Sequence, residues 1–135
     1  MKFDHIGIFV KDMESGRKYI KSLFPIASES SVIHEPLHKV SVQFFYDINN
    51  ICYELIAPNG EDNPVDNSLT NNKNLLNHVA YKVEEFDKKV ADFREKGCTP
   101  LGSPKASIAF SGGRTMFFLS PIGIIIELIE EKYKP

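Results

Sequence analysis

Tryptophan is absent from this 135-residue sequence, cysteine occurs twice, and no apolar run is long. Two cysteines, Cys52 and Cys98, cannot build the disulfide framework of a small secreted domain, so we expect a reducing, cytoplasmic location. The N-terminal MKFDHIG lacks the apolar core of a signal peptide, and the longest apolar stretch, 122–126, is far too short to cross a bilayer. The net charge of −2 gives no electrostatic basis for binding nucleic acid or an anionic membrane. These absences favour a single globular domain over residues 1–135.

The chain repeats itself with one fixed offset. An offset of 73 residues aligns three separate pairs of segments: DHIGIFV with NHVAYKV, QFFY with MFFL, and CYELI with IIELI. Chance resemblance between apolar strands would not keep one register, so we infer a duplicated module. Module one covers 1–58, an Asn- and Asp-rich linker covers 59–74, and module two covers 75–131.

Each copy predicts a βαβββ module, which makes the fold class α+β. In the first copy, a helix begins after the N-cap Asp12 and ends near Leu23, with Tyr19 and Leu23 in its apolar stripe. The second helix starts around Phe86 and ends before Gly97. The predicted strands are 3–10, 27–32, 40–46 and 51–57 in module one, and 77–83, 99–103, 115–119 and 124–129 in module two.

Each copy also carries one histidine and one glutamate at matching positions. These are His5 and Glu54 in the first copy, and His78 and Glu127 in the second. Each glutamate lies inside an apolar strand, where a carboxylate is expensive unless it is protonated, paired or bound to metal. Two imidazoles and two carboxylates suit a divalent first-row ion. The alternative is that the histidines are hydrogen-bonded core residues and the glutamates pair with lysine or arginine.

Two further motifs have a structural and a functional interpretation. HEPLH (34–38) contains Pro36, which argues against a helix, and a solvated loop is favoured over a role of Glu35 or His38 as an acid or base. SGGR (111–114) is interpreted as a turn rather than a phosphate-binding loop. An anionic substrate would still need a cationic anchor, for which Lys82, Lys105 and Arg114 are the candidates. No Walker loop or dinucleotide fingerprint is present.

The sequence resembles the vicinal oxygen chelate (glyoxalase/bleomycin resistance/dioxygenase) superfamily over residues 3–130. The motifs that carry the resemblance are DHIGIFV, YELIAP, NHVAYKV, SGGRTMFFLSP and IIELIE. The resemblance implies two βαβββ modules that form an incomplete barrel around one divalent nickel, cobalt, zinc or manganese ion. It implies four metal ligands, namely His5, Glu54, His78 and Glu127. It also implies a homodimer that acts on a small thioester or hemithioacetal.

The resemblance further implies an isomerase or lyase that moves a proton beside a carbonyl group. Glu127 is the expected base and Glu54 the second catalytic carboxylate. The epimerase branch, which acts on methylmalonyl-CoA, is favoured over glyoxalase I, which acts on a methylglyoxal–thiol hemithioacetal. Phe9 stands where bacterial glyoxalase I has an arginine. On the strand where the epimerases carry a second acid or base, Ser41 and Gln43 are present but no carboxylate is.

Two more distant alternatives remain within the same superfamily. An extradiol-type dioxygenase uses two histidines and one carboxylate on iron, and a fourth ligand at Glu54 argues against it. A non-catalytic drug-binding protein of the bleomycin-resistance type generally lacks the ligand set. Retention of all four residues therefore favours catalysis.

Overall fold

Strands dominate residues 1–66 and 76–131, the part of the chain that the computed structural model describes. The α+β class predicted from the sequence is confirmed. Within these residues, no helix has the length and apolar character needed to cross a membrane. The chain divides into two compact units, one of residues 5–77 and the other of residues 1–4 and 78–135.

The unit of residues 5–77 is an antiparallel sheet closed on one edge by a parallel strand. The sheet order is β2-β4-β5-β1, with β3 also paired to β4, and β1 runs parallel to β5. The elements are β1 (Lys2–Phe9), α1 (Met13–Leu23), β2 (Ile26–Glu29), β3 (Ile33–Glu35), β4 (Val40–Asp47) and β5 (Cys52–Pro58).

Helix α1 packs on one face of this sheet. Asp12 caps it as predicted, because its carboxylate accepts a hydrogen bond from the backbone N–H of Ser15 at 2.9 Å. Ile20 is the buried residue of the helix and joins Phe45 and Leu55 in the core. The predicted stripe was wrong at its edge, however, since the two outer residues of the helix, Tyr19 and Leu23, are 69% and 72% exposed.

The other unit repeats this arrangement. Its sheet order is β6-β10-β9-β7, with β8 also paired to β9, and β6 runs parallel to β10. Helix α2 packs against a core of Val83, Phe86, Met116, Phe118 and Leu128. The elements are β6 (Leu76–Val83), α2 (Phe86–Glu95), β7 (Thr99–Pro100), β8 (Lys105–Ala106), a 3₁₀ turn (Ile108–Phe110), β9 (Arg114–Leu119) and β10 (Ile125–Glu130).

The second strand of each predicted module is split in two. The strand expected over 27–32 is β2 followed by β3. His34 and Glu35 lie in β3, so the prediction of a solvated loop over 34–38 was wrong for these two residues, whereas 36–38 form a turn. Pairing with β4 explains the difference, since the Nδ1 atom of His34 lies 2.7 Å from the hydroxyl oxygen of Ser41. The strand expected over 99–103 is likewise the two short strands β7 and β8.

The predicted linker is described only in part. Its first residues contain a buried cap, because the side chain of Asn63 accepts a hydrogen bond from the Asp66 backbone N–H at 2.8 Å. Residues 64–66 are helical. The remainder of the predicted linker, 67–74, lies outside the described residues.

An ion-pair cluster attaches helix α1 to β2 and yields a pH-dependent prediction. Arg17 and Lys21 donate hydrogen bonds to the Glu29 carboxylate at 2.6–2.9 Å, and these bonds lower the pKa of Glu29 from 4.5 to about 2. Because the folded-state pKa is depressed, the stabilisation is complete above about pH 4.5 and is lost as the pH falls through about 2. Glu29→Gln should therefore melt below wild type at pH 7, and the two melting temperatures should converge as the pH approaches 2.

The measurement is thermal unfolding of both proteins between pH 7 and pH 2.5. Glu61→Gln is the matched control, because Glu61 is exposed. A melting-temperature gap for Glu29→Gln that stays constant over this pH range would contradict the prediction.

Candidate metal centre

The first histidine–glutamate pair joins the first and last strands of its unit. In the parallel pairing of β1 with β5, Gly7 lies opposite Glu54, and His5 lies two residues before Gly7 on the same face. The Nε2 atom of His5 lies 3.1 Å from Oε1 of Glu54. His5 is fully buried and Glu54 is only 6% exposed. The strand alternation predicted from the sequence thus places both side chains on one face.

The second pair repeats the first in the other unit. In the parallel pairing of β6 with β10, Ala80 lies opposite Glu127, and His78 lies two residues before Ala80. The Nε2 atom of His78 lies 3.2 Å from Oε1 of Glu127. His78 is 3% and Glu127 5% exposed. Both modules therefore build the same buried imidazole–carboxylate contact from equivalent residues.

An aromatic ring flanks the histidine of each pair. The Phe44 ring meets the His5 ring edge-on, with centroids 5.8 Å apart, and the Phe117 ring meets the His78 ring in the same way at 5.0 Å. Phe44 pairs with Glu54 across the hairpin, and Phe117 pairs with Glu127. Sequence reasoning used QFFY and MFFL only as evidence of the repeat. The first aromatic residue of each motif, Phe44 in one and Phe117 in the other, was the signal that these rings belong to the site.

The four predicted metal ligands, His5, Glu54, His78 and Glu127, offer two imidazoles and two carboxylates, one of each from each unit. All four side chains are buried. Nitrogen and carboxylate oxygen donors in this proportion fit a borderline divalent ion such as zinc, nickel or cobalt. Buried carboxylates also need a partner that offsets their desolvation, which a bound cation provides. The donor set is therefore compatible with the metal that the sequence predicted.

The polar residues of β4 point away from Glu54. Ser41 pairs with Ala57 and Gln43 with Leu55, so both lie on the sheet face that packs against α1. The Gln43 amide donates hydrogen bonds to Glu29 and to the backbone oxygen of Ser30. On the face of Glu54, β4 presents the apolar side chains of Val40, Val42 and Phe44, followed by the exposed Tyr46.

Glu35 lies on the face of Glu54 but far along the strands. It is buried and pairs with Val40, four residues before Phe44, which is the partner of Glu54. At roughly 3.3 Å per residue, this separation is about 13 Å along the strand direction. The structure therefore does not bring Glu35 to the first pair as a second acid or base.

Of the three candidate cations, two are already occupied. Arg114 donates to both Glu130 and Asp87 at 2.8–3.3 Å, and these bonds raise its pKa. The Nζ atom of Lys82 lies 3.5 Å from the carboxylate of Asp4. Lys105 is exposed and forms no ion pair within residues 1–66 and 76–131.

The SGGR segment is a tight turn, as the sequence favoured. A Cβ atom on Gly113 would approach the backbone oxygen of Glu130 to 2.7 Å, so only glycine fits beside β10. With Arg114 held by two carboxylates, the segment serves the structure of the unit rather than phosphate binding.

The chain matches the model of a known protein family. The model of the Glyoxalase/Bleomycin resistance protein/Dioxygenase superfamily matches residues 4–118. The chain belongs to this superfamily. The resemblance stated from the motifs is thus confirmed.

Relatives within the superfamily are methylmalonyl-CoA epimerases. The chain is 31% identical over 131 residues to the mitochondrial methylmalonyl-CoA epimerase of Bos taurus, covering 94% of this chain and 73% of that protein. A crystal structure of a Bacillus halodurans protein superimposes with a TM-score of 0.81 at 23% identity, covering 99% and 96% of the two chains. A variant of the Streptomyces coelicolor methylmalonyl-CoA epimerase, solved with 2-nitronate-propionyl-CoA, gives 0.75 at 21% identity, covering 98% and 99%.

These matches distinguish the branches of the superfamily. They support an enzyme of the epimerase type and give no support to glyoxalase I or to a lyase. The superpositions confirm the fold of the superfamily.

Proposed function

We propose that this chain is a divalent-metal-dependent epimerase of methylmalonyl-CoA or a closely related 2-substituted malonyl thioester. The observation that carries the proposal is the pair of buried imidazole–carboxylate contacts, at 3.1 and 3.2 Å, built by equivalent residues of two repeated modules. The epimerase relatives, which cover nearly the whole chain, supply the substrate class.

The proposed ligands of one metal ion are His5, Glu54, His78 and Glu127. When bound, a divalent ion would polarise the substrate carbonyl and lower the cost of the negative charge that develops on its oxygen. The flanking Phe44 and Phe117 rings hold the two imidazoles in fixed orientations and exclude water from their apolar sides. Nickel, cobalt, zinc and manganese all suit these donors.

The two carboxylates have the proton-transfer roles in this proposal. Glu127 removes the hydrogen from the carbon that lies between the two carbonyl groups of the substrate. Inversion then requires that a proton be delivered to the opposite face of that carbon, which is assigned to Glu54. The repeat supports this division, since it supplies one carboxylate from each module. On this face of β4, Phe44 is flanked by Val42 and Tyr46, which supports an assignment that uses no further carboxylate from that strand.

The first test is hydrogen exchange with one epimer of methylmalonyl-CoA in deuterium oxide. We expect the protein to incorporate deuterium at the carbon between the carbonyls and to convert either epimer to an equal mixture. Mass spectrometry reports the exchange, and a coupled assay specific for one epimer reports the inversion. The control substrate is the hemithioacetal of methylglyoxal with glutathione.

The outcomes separate the alternatives. Turnover of the hemithioacetal, with no hydrogen exchange in methylmalonyl-CoA, would show that the protein is a glyoxalase and not an epimerase. Binding of either compound without exchange, in protein that contains the metal, would favour a sequestering protein of the bleomycin-resistance type.

The proposal extends to a homodimer in a reducing, cytoplasmic compartment. The superfamily resemblance supports the dimer. The compartment is supported by the low cysteine content and by Cys52 and Cys98, which are both free thiols.

A further inference from the structure

We propose that Lys105 binds the phosphate groups of a coenzyme A thioester. This inference rests on the proposed function, because it assigns to one residue of this chain the recognition of the part of the substrate that does not react. Three observations in the unit that contains Glu127 support it. They are the register of strands β8, β9 and β10, the ion pairs that already engage Arg114 and Lys82, and the exposure of the Lys105 side chain.

Strand register places Lys105 on the face of Glu127. Lys105 pairs with Thr115 on β9, and Thr115 pairs with Ile129 on β10, two residues beyond Glu127. Directly opposed residues of neighbouring strands share a face, and alternate residues along a strand do so as well. Lys105 and Glu127 therefore project from the same side of the sheet.

The register also sets the distance between the two residues. Two strand spacings of about 4.8 Å and two residues of about 3.3 Å separate their Cα atoms by about 12 Å. Lys105, on the outer strand β8, is therefore remote in the sheet from a carbon that Glu127 can deprotonate. It is placed for an anionic group that is joined to the reacting carbon by a long arm.

Coenzyme A has this chemistry. Its phosphates are separated from the thioester by the whole pantetheine arm, whereas the free carboxylate of a malonyl group is attached directly to the reacting carbon. The exposed position of Lys105 fits the remote phosphates, which remain partly solvated when bound. Lysine is suited to bind phosphate as a point charge on a flexible stem.

The other two candidate cations and the lysines of a nearby cleft are less available to an anionic group. The Arg114 guanidinium already donates hydrogen bonds to Glu130 and Asp87. Lys82 pairs with Ile129, the residue that also aligns with Lys105 through Thr115, but its ammonium group already forms an ion pair with Asp4. The charged cleft of about 550 Å³ around Lys88 and Lys89 is lined by four acidic residues as well as four lysines, so it offers an anion little net attraction.

The test is calorimetric binding of two ligands that cannot undergo the reaction, propionyl-CoA and propionyl-pantetheine. Lys105→Ala should weaken propionyl-CoA binding by about fivefold, the upper range for an exposed ion pair. It should leave propionyl-pantetheine binding unchanged, since that ligand has the thioester and the arm but no phosphate. Lys105→Arg should restore most of the affinity, and the dependence of Kd on salt should be shallower in the alanine variant.

Lys88→Ala is the matched control, because Lys88 is 80% exposed, lies on α2 and pairs with Glu85. Equal weakening in both lysine variants would show a general charge effect and overturn the assignment. Equal weakening of both ligands in Lys105→Ala would also overturn it, because Lys105 would then act at the acyl end or through the fold. Lys105-dependent propionyl-CoA binding in a protein that exchanges no hydrogen of methylmalonyl-CoA would support the anchor and overturn the epimerase.

Discussion

Glu127→Gln is expected to lower the rate of deuterium incorporation into methylmalonyl-CoA by about a thousandfold. A positioned general base contributes on the order of 10²–10⁴ to a rate, and a carboxamide cannot accept the proton. Because glutamine keeps an oxygen donor and almost the same volume, the variant should fold normally. The measurement is exchange kinetics under substrate saturation, with the metal content of each preparation determined in parallel. Glu85→Gln is the control, because the Glu85 side chain is 75% exposed.

The comparison with Glu54→Gln distinguishes one base from two. If Glu127 removes the proton and Glu54 delivers one to the opposite face, Glu54→Gln should still exchange the hydrogen of one epimer but should invert it slowly. Full exchange in Glu127→Gln, with metal retained, would show that another group is the base. Loss of metal from Glu127→Gln would assign the effect to ligation instead.

His78→Ala is expected to abolish tight metal binding and to lower the melting temperature of the metal-loaded protein to that of chelated wild type. The wild type should contain about one nickel, cobalt, zinc or manganese ion per chain, because two imidazoles and two carboxylates form a complete protein ligand set. A ligand present at about a thousand times its Kd stabilises a fold by about 4 kcal/mol, so the shift should be easily measured. His5→Ala should behave in the same way, since the two pairs are equivalent.

The measurements are elemental analysis of untagged protein, thermal unfolding with and without chelator, and the visible spectrum after loading with Co²⁺. His34→Ala is the control, because His34 is exposed and contacts Ser41 rather than either pair. Metal retained by both His5→Ala and His78→Ala would place the site elsewhere. Iron in the wild type would favour the dioxygenase alternative. A protein that takes up no metal on reconstitution would contradict the metal centre and favour a non-catalytic ligand-binding protein.

The repeat explains why so much of the site could be predicted. One offset relates His5 to His78 and Glu54 to Glu127, and strand alternation then fixes the face on which each side chain lies. The structure adds the contact itself, at 3.1 and 3.2 Å, and the ring that flanks each histidine. These depend on which strands are neighbours, and neighbours along a sheet cannot be derived from a local pattern.

The predictions that were wrong or incomplete concern three places in the fold. The sequence predicts that Glu35, beside Pro36, lies in a loop, yet pairing with Val40 of β4 buries it in a strand. The sequence predicts that Arg114, after a glycine turn, could anchor an anionic substrate, yet its guanidinium donates hydrogen bonds to Glu130 of β10 and Asp87 of α2. Tyr19 and Leu23 fit an apolar stripe, but the helix contacts the sheet along a narrower line. Only for Arg114 did partners distant in sequence decide the outcome, whereas Glu35 is buried by pairing with the next strand and the two helix residues lie outside the contact with the sheet.

The parallel pairing of the first and last strand in each module has a kinetic consequence. His5 precedes Glu54 by 49 residues, and His78 precedes Glu127 by 49 residues. Each histidine–glutamate pair therefore forms only when nearly the whole module has been synthesised and its ends have closed into a loop, whose entropy must be lost before the contact is gained. Contacts of such long range slow folding, so we expect the two pairs to form late, after most of each module has left the ribosome.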